Sequence, residues 1–346
     1  MTRLAASLGI HLLFVIAAVA QPASPAAAPG GGNVAALHLK LLKTIPVGGE
    51  GRWDYLLVDP DQRRLYVPRS SHVQVLDVDR GAVLGDVPGT NGVHGVALAR
   101  EQGLGFASCG RDNAVSVFDL KTLKVVKTVK AGRNPDAILF DPPSGHVMAF
   151  NHSGGDVTVI DPAALGKDPA SISVGGALEY AVSDGAGHVF VNVEDKDELA
   201  EIDTRANRVL AHWSLAPGAG PTGLAIDVEH HRLFAGCGNR KMIVLDAGTG
   251  KVLAAVDIGA GVDGVAYDPV LGVTMSANGR DGTLSVVRET SPGTFQTVAT
   301  PQTLKGARTI TTDPKTHRAI LPCTVPDANG GQTFGIAVVG AEAAKD

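Results

Sequence analysis

Between Thr222 and Gly261 short apolar runs alternate with turn residues, and four β signals follow one another. Gly223–Ile226 is an apolar run closed by Asp227. His231–Ala235 follows a polar turn. Met242–Leu245 is closed by Asp246, and Val252–Val256 follows the turn Gly248-Thr249-Gly250-Lys251. Four strands with turn residues between them predict an antiparallel meander. One such sheet has too few partners to be stable alone, so the unit must be packed against others.

The chain supplies them by repetition. Aligned on the end of each first strand, seven segments match: WDYLLVD to Asp59, VHGVALA to Ala99, PDAILFD to Asp141, LEYAVSD to Asp184, PTGLAID to Asp227, VDGVAYD to Asp268 and ARTITTD to Asp313. Their spacings are 40, 42, 43, 43, 41 and 45 residues. The third strands share a register as well, ending at Asp77, Asp119, Asp161, Asp203 and Asp246. Four strands repeated every 40–45 residues predict an all-β seven-bladed β-propeller with four antiparallel strands per blade. No window has a 3.6-residue apolar period, so almost no helix is expected, with Ala163–Lys167 the one place for a helical turn.

The two ends explain each other. The last unit starts at Arg308 and has three strand signals, the last being Phe334–Val339. LKLLKTIPVG at 39–48 matches LKVVKTVKAG at 123–132, a fourth strand. The N-terminal strand is therefore expected to complete the last blade, which removes a free sheet edge. Before it, Met1–Ala20 reads as a signal peptide: Arg3, the apolar run Leu8–Val19, and Ala18-Val19-Ala20 at the cleavage point. Residues 21–36 read as a disordered Pro/Ala/Gly spacer, 37–340 as the propeller and 341–346 as a C-terminal tail. The expected location is periplasmic or secreted, with no membrane span after signal cleavage.

The chain resembles the YncE-like family of periplasmic seven-bladed propellers with a YVTN-type repeat. The resemblance rests on the first strands ending in Asp, the V-x-V-x-D third strands and the T-G-K-V fourth-strand pattern at 249–261. It covers roughly residues 37 to 339. The YVTN motif itself is degraded, with Leu65-Tyr66-Val67-Pro68 and Val189-Phe190-Val191-Asn192 as its nearest forms. The resemblance implies an extracytoplasmic binding or scaffold protein more often than a defined enzyme.

No nucleophile elbow, P-loop, zinc-protease or calcium-loop spacing is present, so the chemistry must come from positions that the ring brings together. The residue five before each alignment point gives Asp54, His94, Asp136, Glu179, Thr222, Asp263 and Arg308. These should surround the channel on the top face. The residue ten after gives Arg69, Cys109, Asn151, Glu194, Cys237, Asn278 and Cys323. Trp53, Arg111, His152 and Arg280 flank them. Short polar side chains at strand starts also cap turn amides, which accounts for Asp54, Asp136, Thr222 and Asp263 without a ligand. Long titratable groups such as His94, Glu179 and Arg308 are harder to explain that way. The expected ligand-binding set is Asp54, His94, Asp136, Glu179, Asp263, Arg308, Trp53 and Arg69. No cofactor is required, although a divalent cation at the channel mouth would suit the carboxylates. Bottom turns such as Pro60–Arg63 and Val228–His230 read as ordinary hairpins, and His230-His231 as a solvated turn.

The three cysteines fall in units 2, 5 and 7, too far apart for the Cα separation a disulfide needs, and are expected to be free. The formal charge of −5, without a Lys/Arg cluster interleaved with aromatics, argues against nucleic acid. The expected protein is a monomer that takes a small molecule or protein partner on its top face. The competing reading is a propeller enzyme of lactone-hydrolase or lyase type. There His94 would act as base, Glu179 or Asp136 as acid or ion ligand, and Arg308 would stabilise an oxyanion.

Overall fold

The Asp that ends six of the seven aligned first strands has a physical reason to be there. In a computed structural model describing Met1, residues 37–49 and residues 51–341, its carboxylate turns back to accept bonds from the amides of the following turn. Asp59 Oδ1 accepts from the amides of Asp61 and Gln62 at 3.1 and 3.3 Å, and Asp268 Oδ1 from those of Val270 and Leu271 at 3.0 Å each. The Asp that ends the third strand does the same: Asp77 Oδ1 accepts from the amides of Asp79 and Arg80, each at 2.9 Å. A short carboxylate that satisfies turn amides is favoured wherever a strand reverses.

The strands so bounded form six antiparallel sheets among the described residues, five of four strands and one of seven. The central stretch makes one of the four-stranded sheets, Pro221–Asp227, Arg232–Cys237, Lys241–Asp246 and Val252–Asp257 in that order. Its last hairpin turns at Gly250, whose φ is +68° and where a Cβ would lie 2.1 Å from Trp213. The sheet of seven exists because Val83–Ala99 is continuous: Val83 to Pro88 pair with Ser70–Asp77, and Val93 to Ala99 pair with Leu104–Cys109. One long strand thus serves two four-stranded units, a fusion that the turn residues Gly89 and Asn91 did not announce.

Leu39–Pro46 pairs with Gln332–Ala341, which pairs with Arg318–Pro326 and through it with Thr311–Asp313. The expected joining of the N-terminal strand to the last sheet is therefore present. The first strands lie against one another in succession, and Leu57–Asp59 meets Thr311–Asp313 to bring the series back to its start. The apolar core lies between sheets and not at one centre. Phe106 and Val115 pack with Val147 and Ile160 of the next sheet, and Phe190 and Leu199 with Leu233 and Ile243.

Helix is confined, among the described residues, to three single 3-10 turns, Arg100–Gln102, Gly110–Asp112 and Glu194–Lys196. Residues 163–167, the one place the sequence left open for a helical turn, make plain turns that begin at Asp161. Apart from Met1, the expected signal peptide and spacer lie outside the described residues, as does most of the expected C-terminal tail.

The bottom hairpins are not ordinary. Asp141 Oδ1 accepts from Ser183 Oγ at 2.6 Å, Asp227 Oδ2 from Tyr267 Oη at 2.7 Å, and Asp268 faces His317 Nδ1 at 3.1 Å. Each donor belongs to the next sheet, so the Asp that closes a turn also ties two sheets together. His230 lies exposed in its turn, as read from the sequence, with Nδ1 2.8 Å from Asp227 Oδ2 of the same hairpin.

Candidate functional site

The inner positions converge as the repeat spacing requires, and most of them find one another. His94 Nδ1 lies 2.8 Å from Asp54 Oδ2 and 3.6 Å from Asp136 Oδ1. Glu179 Oε2 accepts a 2.9 Å bond from the buried Tyr55 hydroxyl, and Glu179 Oε1 lies 3.0 Å from His152 Nδ1. On the far side Arg308 Nη1 lies 3.2 Å from Asp263 Oδ2. Thr222 stands apart, its hydroxyl donating to the Val262 carbonyl at 3.2 Å.

These side chains reach the mouth because each first strand begins there. Neighbouring strands fix one another at that level: Tyr55 N–H donates to the His94 carbonyl at 3.1 Å, and Thr309 Oγ1 donates to the Asp54 carbonyl, also at 3.1 Å. Gly110 lets His94 lie where it does, since a Cβ there would stand 2.9 Å from His94 Nε2 and 2.4 Å from Asn134 Oδ1. Further along the first strands, Tyr55 and Tyr180 meet edge to face at 4.8 Å and help line a cavity of about 280 Å³ with Leu57, Ala97 and Leu139.

Crowding of acids under partial burial sets the charges. Burial opposes the imidazolium of His94, but Asp54, with Asp136 and Glu179 beyond it, outweighs burial and raises its pKa to about 9. His152 is raised to about 9 by Glu179 against the cost of burial. Burial pushes the Asp136 carboxyl well above the usual range, with His94 opposing and Glu179 and Asp54 adding to the rise. Asp263 is pushed up to about 7 by burial, which Arg308 only partly offsets. Acid crowding thus favours the protonated imidazoles of His94 and His152, and burial favours the neutral carboxyls of Asp136 and Asp263.

Two expected site residues serve the framework. Arg69 is 0% exposed. Its guanidinium donates to the carbonyls of Gly48, Gly49 and Gly51 at 3.1–3.2 Å and to Gln74 Oε1 at 2.8 Å, and lies 3.6 Å over the Phe334 ring. It braces the segment entering the first strand and is closed to a ligand. Trp53 packs at 5.5 Å on Phe334, sealing the seam between the first and last sheets. Most of the second ring points into the sheets: Cys109, Cys237 and Cys323 are free and buried, and Asn278 bonds Thr283 and Ser285 at 3.1 and 2.9 Å, whereas Glu194 stays partly exposed and is felt electrostatically by Glu179 and His152. What the inner-ring count missed is Tyr55, and it left His152 as a flanking residue. The aromatic after an inner-ring acid, in Asp54-Tyr55 and again in Glu179-Tyr180, was the available signal.

No family model matches the chain, and no curated protein matches it. Among solved structures, a chain of Kuenenia stuttgartiensis Hydrazine Synthase is similar, with a TM-score of 0.69 at 14% identity over 88% of this chain and 98% of that one. At that identity the likeness speaks for the fold alone. With the sheets described above, it makes this chain a β-propeller. Its site must be argued from its own residues.

Proposed function

We propose that this protein is an exported seven-bladed propeller, YncE-like in its repeat, that binds a small polar ligand at the top channel mouth. Support for seven blades comes from the seven aligned first strands and from the double use of Val83–Ala99. Support for export comes from the Met1–Ala20 pattern; among the described residues no helix is long and apolar enough to cross a membrane. One observation carries the binding reading: two histidines and three carboxylates, drawn from four repeats, meet in the two connected sets Asp54–His94–Asp136 and Asp136–His152–Glu179. Convergent, partly buried polar groups at the mouth of a shared axis are what a ligand site requires. A thermal-shift screen of small metabolites tests it. The expected result is a stabilising ligand whose effect is lost in Arg308→Ala and Glu179→Gln; a ligand insensitive to both would place the site elsewhere.

The second reading, a hydrolase or lyase of the lactonase kind, is favoured by the 2.8 Å approach of His94 to Asp54, since a carboxylate that orients an imidazole is a recurrent acid–base arrangement. Turnover of a lactone panel by the wild type, abolished in His94→Gln, would select it.

A further inference from the structure

We propose that the channel mouth is a divalent transition-metal site with Asp136 as the shared ligand, completed on one side by His94 and Asp54 and on the other by His152 and Glu179. This rests on the reading of the mouth as a binding site and names the chemical class it takes.

Three observations lead there. First, each set offers one imidazole nitrogen and two carboxylate oxygens lying within 4.8 Å of one another. Donors that share one ion at bonds of about 2.0–2.2 Å stand roughly 3–4 Å apart, so small inward shifts suffice. Second, Asp136 is only 9% exposed, yet its Oδ1, the atom facing His94 at 3.6 Å, makes no hydrogen bond. A buried carboxylate oxygen without a partner is costly, and a cation seated between the sets would satisfy it. Third, the buried His152 Nδ1 lies 3.0 Å from Glu179 Oε1 yet makes no well-formed hydrogen bond. The nitrogens decide the metal. Calcium seeks six to eight oxygens, whereas an imidazole with carboxylates suits zinc, manganese, cobalt or iron. Thiolate takes no part, since the three cysteines are buried within the sheets.

Arg308 does not compete for these positions, because it is paired with Asp263. Elsewhere among the described residues, His188, His212, His230 and His317 each face a single carboxylate-bearing residue, and none belongs to a three-donor set. The sharing of Asp136 allows two ions bridged by one carboxylate, an arrangement other proteins use to hold a bridging water or substrate oxygen.

The test is titration of the metal-stripped protein with Zn²⁺ and with Co²⁺ by calorimetry, the cobalt form also being read by its visible spectrum. The expected result is up to two equivalents bound, a cobalt spectrum without sulfur charge-transfer bands, and no displacement by an equal concentration of Ca²⁺. His94→Ala and His152→Ala should each abolish or weaken one equivalent. Asp136→Asn should weaken all binding by at least about tenfold, a loss that even outer-shell changes reach. If Asp136→Asn does not fold, as judged by circular dichroism, the two histidine variants decide. Absence of metal uptake, or uptake unchanged in the histidine variants, would overturn the inference. So would uptake lost only in His212→Ala or His317→Ala. If metal fails while a small molecule still loses affinity in Arg308→Ala, the metal assignment falls alone and the binding reading stands.

Discussion

Arg63 and Asp313 stand 250 residues apart in sequence and meet through two parallel hydrogen bonds, Nη1 to Oδ1 at 2.9 Å and Nη2 to Oδ2 at 2.8 Å. Arg63 follows the first strand of the first repeat, and Asp313 ends the first strand of the last. The pair thus ties the beginning of the series to its end on the bottom face, while Asp79 holds Arg63 from the other side. Burial disfavours the charge on Asp313, but bonds from Arg63 and Thr316 prevail and lower its pKa to about 2.

The sign of the pH dependence follows. An unfolded Asp titrates at about 3.9, above the folded value of about 2. The latch therefore stabilises fully above the unfolded value, and its contribution is lost as pH falls from about 4 toward 2. Arg63→Ala should cost roughly 2 kcal/mol at pH 7, because it leaves a nearly buried carboxylate with only Thr316 and turn amides. The difference from wild type should shrink on acidification through that window. Denaturant melts at pH 7 and pH 3 measure it; a difference that grows as pH falls would refute the latch.

The seam is closed a second time by Leu39–Pro46 against Gln332–Ala341. Removing residues 39–48 would strip Ile45 and Val47 from the core between the last and first sheets and expose a paired edge. The shortened protein should melt well below the full chain and associate in solution, as read by calorimetry and size-exclusion chromatography. An unchanged melting temperature would mean that the strand adds nothing to closure.

How much of this was legible beforehand depends on which side of a strand a residue occupies. Short apolar runs and the recurring Asp gave the strand bounds, because turn capping at Asp77 and Asp268 is a local matter. Counting five residues back from each Asp found His94, Asp136, Glu179 and Arg308, since the repeat carries position along the strand as well as spacing. Counting ten forward failed for Arg69 and the cysteines. Those positions end second strands and point between strands and sheets, and polarity alone does not distinguish a mouth from a braced interior. The sheet-to-sheet role of Asp141 and Asp227 was hidden because their partners, Ser183 and Tyr267, lie a full repeat away.

The thiols give a direct measure of burial. Cys237 and Cys323 are each pushed up to about 12 by desolvation, and all three cysteines are fully covered. Since the thiolate is the reactive form, Ellman's reagent should modify essentially none in the native protein and all three after denaturation. Rapid native labelling of any one, or fewer than three after denaturation, would contradict free buried thiols.

The top rim and the bottom turns should separate in mutagenesis, and the structure refines what each will show. Arg308→Ala removes a half-exposed guanidinium whose partner, Asp263, is already pushed up to about 7, so the orphaned carboxyl can take a proton and the fold should lose little. His94→Ala removes the imidazole that joins Asp54 to Asp136. Both variants should weaken binding of a ligand found by screening while melting within a few degrees of wild type. His230→Ala should behave in the opposite way. Its imidazole sits 2.8 Å from Asp227 Oδ2, which also accepts from Tyr267, so its loss should cost about 0.5–1.5 kcal/mol of stability without touching affinity. His231 makes no such contact with Asp227, and His231→Ala should be closer to neutral. Isothermal titration alongside thermal melts on the four variants reads both axes at once. Affinity lost in His230→Ala but kept in His94→Ala and Arg308→Ala would move the binding surface to the bottom face.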